Sequence, residues 1–359
     1  MKALLAAGGR STRMRPITHT INKHLIPLAN KPMLEHALIK LAEAGIKDVI
    51  LNINPGETEV MRKVFGNGER WRLQLTYVEQ QGGARGIAHA VYNAKDYLRG
   101  DAFVFFLGDN IFLGSLRGMK ERFEQEALDC LIALARVSDP KRFGVPDFNA
   151  DGSLKRTVEK PQQPPSPFAV AGIYFFNDKY FDGFQTIQPS ARGEYEITDM
   201  ITWYIENGRV GHEEITGWWK DTGTPEALLE GNALLLDEMT WQEATHEARM
   251  DSSSRVSGKV SLGQGTVLGP DVLIRGPAVI GKNCSLDHAY VGPYTSIGNG
   301  VTLHNTEIEH SIVLDDAYIN THQRIVDSII GKDARVTSSV DSLPRGHKMI
   351  IGDQSVVEL

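Results

Sequence analysis

The sequence predicts an α/β domain with a mostly parallel sheet, followed by a parallel β-helix of six-residue repeats. Three observations carry this reading. Apolar strand patterns alternate with helical ones in the first part of the chain, and two of the strands run straight into Gly8-Gly9 and Gly108-Asp109-Asn110. From Val256 to Leu286 an apolar residue recurs every six positions without a miss. The length of 359 residues exceeds what one core ordinarily serves, so two domains are expected.

Residues 2–7 are a short apolar run, read as a buried strand that stops at Gly8-Gly9. A loop carrying Arg10, Arg13 and Arg15 follows, closed by Lys23. Glycines let backbone N–H groups approach a polyphosphate, and loop cations neutralise its charge. Neither Gly-Lys-Ser/Thr nor the third glycine of Gly-x-Gly-x-x-Gly occurs here, so this loop is neither of those phosphate-binding motifs. Pro32 stands where a helix begins, with Met33, Ala37, Leu38 and Leu41 on one face before Gly45 ends it. Strands are expected at 49–53, 73–78 and 102–107, and helices around 59–65 and 87–98. Ligands of such sheets sit beyond the carboxyl ends of the strands, where both Gly8-Gly9 and Asp109 fall.

The middle of the chain continues with strands at 129–135, 154–159 and 169–176, joined by loops containing Pro161, Pro164, Pro165 and Pro167. A helix is expected after Glu196-Ile197-Thr198-Asp199, and the run from Trp218 to Pro225 leads into another ending near Glu238. The polar stretch 240–254 reads as a connector, which gives a first domain at 1–240, a linker at 241–254 and a second domain at 255–359.

In that second domain Val256, Leu262, Leu268, Ile274, Ile280 and Leu286 keep the six-residue period. Val260, Thr266, Val272, Ala278 and Cys284 sit four places after the first five, with Tyr290 an outsized exception. A five-residue step leads to Val291, Ile297 and Leu303, and further steps give Ile308/Leu314, Ile319/Ile325 and Ile330/Val336. Each apolar residue is expected to stack on the one a coil below; a sandwich would show period 2 and irregular turn spacing.

Composition narrows the function. A net charge of −7 argues against a general nucleic-acid or membrane-surface binder, while a basic loop inside an acidic chain suits a small anionic ligand. Two cysteines, Cys130 and Cys284, make no disulfide framework or cysteine zinc site. No apolar run approaches membrane-spanning length, and a cytoplasmic location is expected.

Asp109 follows a strongly apolar strand, and Asp221 sits on another loop after an aromatic run. Two carboxylates completed by substrate phosphates are what Mg²⁺ usually receives, although a carboxylate at a strand end also serves to cap a turn. Arg13 and Lys23 suit the charge of a leaving pyrophosphate. Phosphoryl-type displacement needs mainly positioning and charge neutralisation, without a covalent nucleophile, and Cys130 reads as core.

These residues belong to a wider set of motifs: Ala7-Gly-Gly-Arg-Ser-Thr-Arg13, Asn22-Lys-His-Leu-Ile-Pro27 with Asn30-Lys-Pro32, Gly86-Ile-Ala-His-Ala90 and Leu107-Gly-Asp-Asn110. Phe143-Gly-Val145, Val158-Glu-Lys-Pro161, Arg192-Gly-Glu-Tyr-Glu-Ile-Thr-Asp199 and Trp219-Lys-Asp-Thr-Gly223 follow. Through them nearly the whole chain resembles the sugar-1-phosphate nucleotidylyltransferase family, in particular its long-form glucose-1-phosphate thymidylyltransferase branch. That resemblance implies a Rossmann-like mixed-sheet nucleotidyltransferase domain followed by a left-handed parallel β-helix. It implies Mg²⁺-dependent transfer of a nucleotidyl group from dTTP to glucose 1-phosphate, giving dTDP-glucose for deoxysugar or surface-polysaccharide synthesis, and a homo-oligomer.

Carried over by residue, the resemblance makes Gly8, Gly9 and the loop to Arg13 the triphosphate cradle, with Arg13 and Lys23 on the reacting phosphates and Asp109 and Asp221 on Mg²⁺. The glutamine that reads the base is Gln81 when counted back from Gly86, or Gln80 when counted from Tyr77, because this loop is one residue longer than usual. Gly144, Glu159, Lys160 and Gly172 hold the sugar phosphate, Lys160 pairing with its phosphate and Glu159 accepting sugar hydroxyls; Arg192 and Glu196 either touch it or brace the loop. Ser11 stands where glycine is usual and His24 where glutamine is common, and both bear on nucleotide preference. Alternatives stay open: the same chemistry with UTP or another sugar 1-phosphate, a non-catalytic regulatory relative, or a second acyltransferase activity on the β-helix using His288, His304, His310 or His322.

Overall fold

An unbroken apolar run, buried on both faces, builds the first strand. Ala3, Leu4 and Leu5 are all fully buried, so β1 (Lys2–Ala6) lies inside a sheet covered on both sides. The structure is a computed structural model and describes residues 1–9, 11–83, 85–239, 248–338 and 351–358. Arg10 and residues 240–247, which include half of the expected linker, lie outside the described residues.

Seven strands make the main sheet: β1, β2 (Asp48–Ile53), β3 (Gln74–Glu79), β4 (Phe103–Leu107), β5 (Cys130–Arg136), β6 (Phe168–Phe176) and β7 (Val210–Glu214). Their order is β7-β5-β6-β4-β1-β2-β3. Every neighbouring pair is parallel except the two involving β6, which runs antiparallel to both β4 and β5, so the sheet is mixed. One face packs Leu4, Ile50, Phe103, Phe105, Ile132 and Tyr174 against helices α3 (Ile87–Asn93), α4 (Lys95–Leu98), α6 (Tyr180–Phe184) and α7 (Ile197–Asn207). Cys130 is fully buried in that core, and burial pushes its thiol well up from the ordinary value, which makes it inert packing.

Two local expectations are corrected. The helix expected at 87–98 is two pieces, interrupted at Ala94, whose own N–H turns back to the Val91 carbonyl. Pro32 does not open helix α1 (Met33–Glu43): it lies in a short hairpin strand, Lys31–Pro32, paired with Pro27–Leu28. A proline is tolerated there because a two-residue edge strand asks for few ladder donors.

The described chain divides into two compact units, Met1–Arg10 with Leu34–Asp221 and Ser11–Met33 with Thr222–Leu359. The second contains helix α8 (Pro225–Glu238) and a parallel β-helix whose rungs form two parallel sheets. Its apolar stack runs through Leu262, Leu268, Ile274, Ile280, Leu286, Val291, Ile297, Leu303 and Ile308. The Tyr290 exception has a simple cause. In the strand Ser285–Val291 the inward place is taken by the buried Ala289, and Tyr290 pairs on the outer side with Leu273 and Glu307. The five-residue step therefore absorbs the large side chain by turning it outward.

Within this second unit Asn232 of α8 is fully buried and hydrogen-bonded at both ends of its amide. Its Oδ1 accepts from the Ala29 N–H (2.8 Å) and Ser296 Oγ (2.7 Å), and its Nδ2 donates to the Tyr294 carbonyl at 3.1 Å. One amide thus ties the 27–32 hairpin and α8 to the β-helix.

Candidate active site

Asp109 lies two residues beyond the end of β4, and Asp221 closes the short strand Trp219–Asp221. That strand pairs antiparallel with Asn110–Phe112, in a register that sets Asp221 opposite Asn110. Two carboxylates far apart in sequence thereby become neighbours, both half-buried. Asn110 is buried and orders this corner: its Nδ2 donates to Asp109 Oδ1 at 2.8 Å, and its Oδ1 accepts from Trp219 Nε1 at 2.9 Å. Trp219 Nε1 also reaches the Ala171 carbonyl at 3.0 Å. The antiparallel strand β6 slips register between Val170 and Tyr174, and Gly172 sits in that irregularity with φ +67. A Cβ there would lie 2.9 Å from Asn110 Oδ1 and 3.0 Å from a Leu107 methyl, so glycine is needed both for the left-handed turn and for the close approach. The donor set is hard and oxygen-based with substrate phosphates to complete it, which suits a divalent cation such as Mg²⁺.

At the same end of the sheet, the glycine loop after β1 is held by Asn54. The Gly9 N–H donates to Asn54 Oδ1 at 2.8 Å, and Asn54 Nδ2 donates back to the Gly9 carbonyl at 3.2 Å. A Cβ on Gly8 would meet Asn54 Oδ1 at 3.1 Å. The loop continues through Ser11, which adopts the left-handed conformation (φ 46) that the usual glycine takes without strain.

Gly86, with φ +97, touches the backbone of Tyr195: a Cβ would fall 2.5 Å from the Tyr195 carbonyl oxygen. The Tyr195 N–H donates to the Arg85 carbonyl, and the Ala88 N–H donates to that of Tyr195. Of the two candidate glutamines, Gln81 is exposed. Gln80 is half-buried, its Nε2 is 3.1 Å from His89 Nδ1, and its Oε1 is buried without a hydrogen-bond partner among the described residues. Burial, and secondly the Arg85 charge, lowers the His89 pKa from its ordinary value.

Glu159 closes the strand Leu154–Glu159, opposite Gly144 of the strand Gly144–Phe148. Lys160 adopts a left-handed backbone (φ 43), an uncommon state for lysine, fixed by its N–H donating to the Phe143 carbonyl. Its Nζ is 3.5 Å from Glu159 Oε1. Arg192 grips both oxygens of Glu196 at 2.8 Å and reaches Glu159 at 3.3 Å, while Ser190 Oγ donates to Glu196 at 2.7 Å. Glu196 is buried, and Arg192 is its charged partner across the 192–196 turn. Burial raises the Glu159 pKa above its ordinary value, Lys160 and Arg192 oppose the shift, and Glu196 adds to it. Thr198 is buried beside Gly144 with its Oγ1 unpartnered among the described residues.

Arg13 and Lys23 fall in the Ser11–Met33 segment of the second unit. Arg13 is exposed in a single turn, Thr12–Met14; Lys23 is buried in another, Lys23–Leu25. His24 is buried as well, with its N–H donating to Asn22 Oδ1 at 2.8 Å and its Nδ1 3.0 Å from the same oxygen. It therefore fastens the turn that carries Lys23. Sequence reasoning did not single out Asn54, Asn110 or Trp219 as site residues. Only their adjacency to glycine and aspartate motifs could have flagged the latter two, and nothing local marks Asn54.

Comparison with known proteins gives this arrangement a family. The model described as nucleotidyl transferase matches residues 2–238, and the chain belongs to that family of enzymes. The low-salt glycan biosynthesis nucleotidyltransferase Agl11 of Haloferax volcanii is 38% identical over 361 residues, spanning 100% of both chains. The glucose-1-phosphate thymidylyltransferase of Streptomyces antibioticus is 40% identical over 361 residues, covering 100% of this chain and 99% of its own. A Bacillus anthracis structure solved with sucrose, assigned as a glucose-1-phosphate thymidylyltransferase, is similar at TM-score 0.63 and 36% identity, over 68% of this chain and 98% of that one. Among the described residues no helix is long and apolar enough to cross a membrane.

Proposed function

We propose that this chain is a glucose-1-phosphate thymidylyltransferase that transfers the thymidylyl group of dTTP to glucose 1-phosphate. The observation that carries the reading is the register pairing Asp221 with Asn110, beside Asp109, at the carboxyl end of the sheet. Full-length likeness to enzymes of that name supports it further. A phosphate oxygen of glucose 1-phosphate attacks the α-phosphorus in line; one P–O bond forms, the α–β P–O bond breaks, and pyrophosphate leaves with the electron pair. Mg²⁺ on Asp109 and Asp221 would neutralise the phosphate charge.

The chain's own groups do the rest. Gly8 and Gly9 offer backbone to the triphosphate, in a loop held by Asn54. Arg13 lies four residues along the same loop, and with Lys23 it supplies positive charge to the reacting phosphates. Gln80 is the better base reader than Gln81, because its unpartnered Oε1 would accept the thymine N3–H, and leaving such an atom unpaired penalises the wrong base. Gly86, packed against the Tyr195 backbone, would form part of the same nucleotide wall. Gly144, Glu159, Lys160 and Gly172 form the sugar-phosphate subsite, with Lys160 on the phosphate and Glu159 on hydroxyls, and the Arg192–Glu196 pair holds Glu159 in place.

Pyrophosphate release from the purified chain with Mg²⁺ and glucose 1-phosphate tests this, comparing dTTP, UTP, GTP, ATP and CTP. Release with dTTP that vanishes in Asp109→Ala is the expected result. Release with UTP alone would transfer the assignment to the uridylyl reaction, and no release with any nucleotide would overturn it.

A further inference from the structure

The β-helix brings together a second set of ligand-bearing side chains that the nucleotidyl-transfer chemistry does not use. Asp287 and His304 are register partners on adjacent coils, and His288 follows Asp287 at a corner. His304 Nδ1 is 3.2 Å from Asp287 Oδ2, and His288 Nδ1 is 2.7 Å from Asp287 Oδ1. The two imidazoles stand edge-to-face at 6.2 Å between centroids. On the coil below, Leu273 is the partner of Tyr290, which sets Asp271 beside His288; Asp271 Oδ2 lies 3.6 Å from His288 Nε2. Three successive coils therefore aim two imidazoles and two carboxylates at one another.

We propose that Asp287, His288 and His304 bind one divalent transition-metal ion of the zinc class. One donor atom from each residue lies within 4.8 Å of the other two. Donors sharing such an ion are separated by about 3.3–4.2 Å, given metal–ligand bonds of about 2.0–2.1 Å. Closing the set is thus a matter of side-chain rotation, since the coil backbone already fixes the register. Imidazole nitrogen with one carboxylate favours Zn²⁺, Co²⁺ or Ni²⁺ over the hard Mg²⁺, which prefers all-oxygen sites. Asp271, with Oδ2 3.6 Å from His288 Nε2, has the place of an outer carboxylate that would accept Nε2–H after a small side-chain rotation while Nδ1 faces the ion, an arrangement common to metal-bound histidines. His288 takes a left-handed backbone (φ 47), which turns its ring back over Asp287. All four side chains are at least one-third exposed, so an ion enters from solvent and keeps water in its remaining positions. Its bonds would cross-link adjacent coils of the β-helix.

The test uses the chelator-stripped full-length chain without a histidine tag, titrated with zinc chloride by calorimetry in excess Mg²⁺, which competes with zinc at the all-oxygen Asp109/Asp221 pair. The wild type is expected to take up one equivalent at micromolar affinity or tighter, and to unfold at a higher temperature once loaded. His304→Ala and His288→Gln are expected to abolish that equivalent, and Asp271→Asn to weaken it about tenfold. Co²⁺ gives a second readout: visible absorption of low-coordinate cobalt in the wild type, absent from the His288→Ala/His304→Ala variant. Equal circular dichroism of the zinc-free variants separates lost binding from lost folding. A wild type that takes up no zinc under these conditions would overturn the proposal, and so would a double histidine variant that keeps the wild-type stoichiometry and affinity; either result would leave a hydrogen-bonded histidine–aspartate cluster.

Discussion

Replacing Gly172 with alanine probes how the sheet irregularity shapes the carboxylate corner. The new Cβ would sit 2.9 Å from Asn110 Oδ1 and 3.0 Å from Leu107 Cδ1, at a φ of +67. Holding alanine in the left-handed region and overpacking the contact together cost about 2–4 kcal/mol. Asn110 cannot swing away cheaply, because its Oδ1 receives Trp219 Nε1 and its Nδ2 is committed to Asp109. The strain is therefore passed to Asp109. A thermal midpoint lower by about 5–10 °C is expected, with kcat/KM for pyrophosphate release down about 10²-fold, the usual effect of an ångström-scale misplacement. Differential scanning calorimetry and steady-state kinetics on the same preparation read both numbers. A variant within about 2 °C and about threefold of wild type would refute the claim that Gly172 sets the position of Asn110 and Asp109.

Glu159 gives a pH prediction. Its folded pKa is raised above the ordinary 4.5, first by burial. Between those two values the folded chain keeps a proton the unfolded chain has lost. Stability contributed by that proton is full below the ordinary value and is lost as pH rises through the folded one. The stability of Glu159→Gln relative to wild type, from denaturant melts at pH 4 to 7, should increase across that window and then level off; a decrease would contradict the burial argument. Asn232→Ala leaves the Ala29 N–H, Ser296 Oγ and Tyr294 carbonyl short of a partner, and should destabilise the second unit by about 3 kcal/mol, read as a lower melting midpoint.

Periodicity made the β-helix legible, because each face of a coil turns one apolar residue inward, to stack on the same face a coil away as Val256 does on Ile274 and Leu286 on Leu303, and successive faces leave a six-residue trace. Tyr290, outsized for its place in the pattern, marked the first position where the coil shortens and Ala289 turns inward. The alternating sheet was legible for a similar reason, while the antiparallel sense of β6 was not, since a strand buried on both faces reads the same in either direction. Asp109 was singled out by its setting after an apolar strand and Asp221 by its loop after an aromatic run. Their adjacency was not, because it depends on a three-residue strand pair too short to carry a pattern. Asn54 and Trp219 escaped for a related reason: each acts through a long-range hydrogen bond that no local spacing encodes. Gln80 and Gln81 differ in burial, which neighbouring polar residues do not reveal in sequence, and the proposal for Gln80 rests on that difference.

The most direct test of the account is a double-mutant cycle on Asp109 and Asp221, reading kcat/KM for dTTP-dependent pyrophosphate release at saturating Mg²⁺. If both carboxylates hold one ion, either asparagine variant alone removes most of the activity, on the order of 10³-fold, and the double variant is little worse than the poorer single. Losses that multiply, or an Asp221→Asn enzyme with wild-type activity, would contradict the shared metal site.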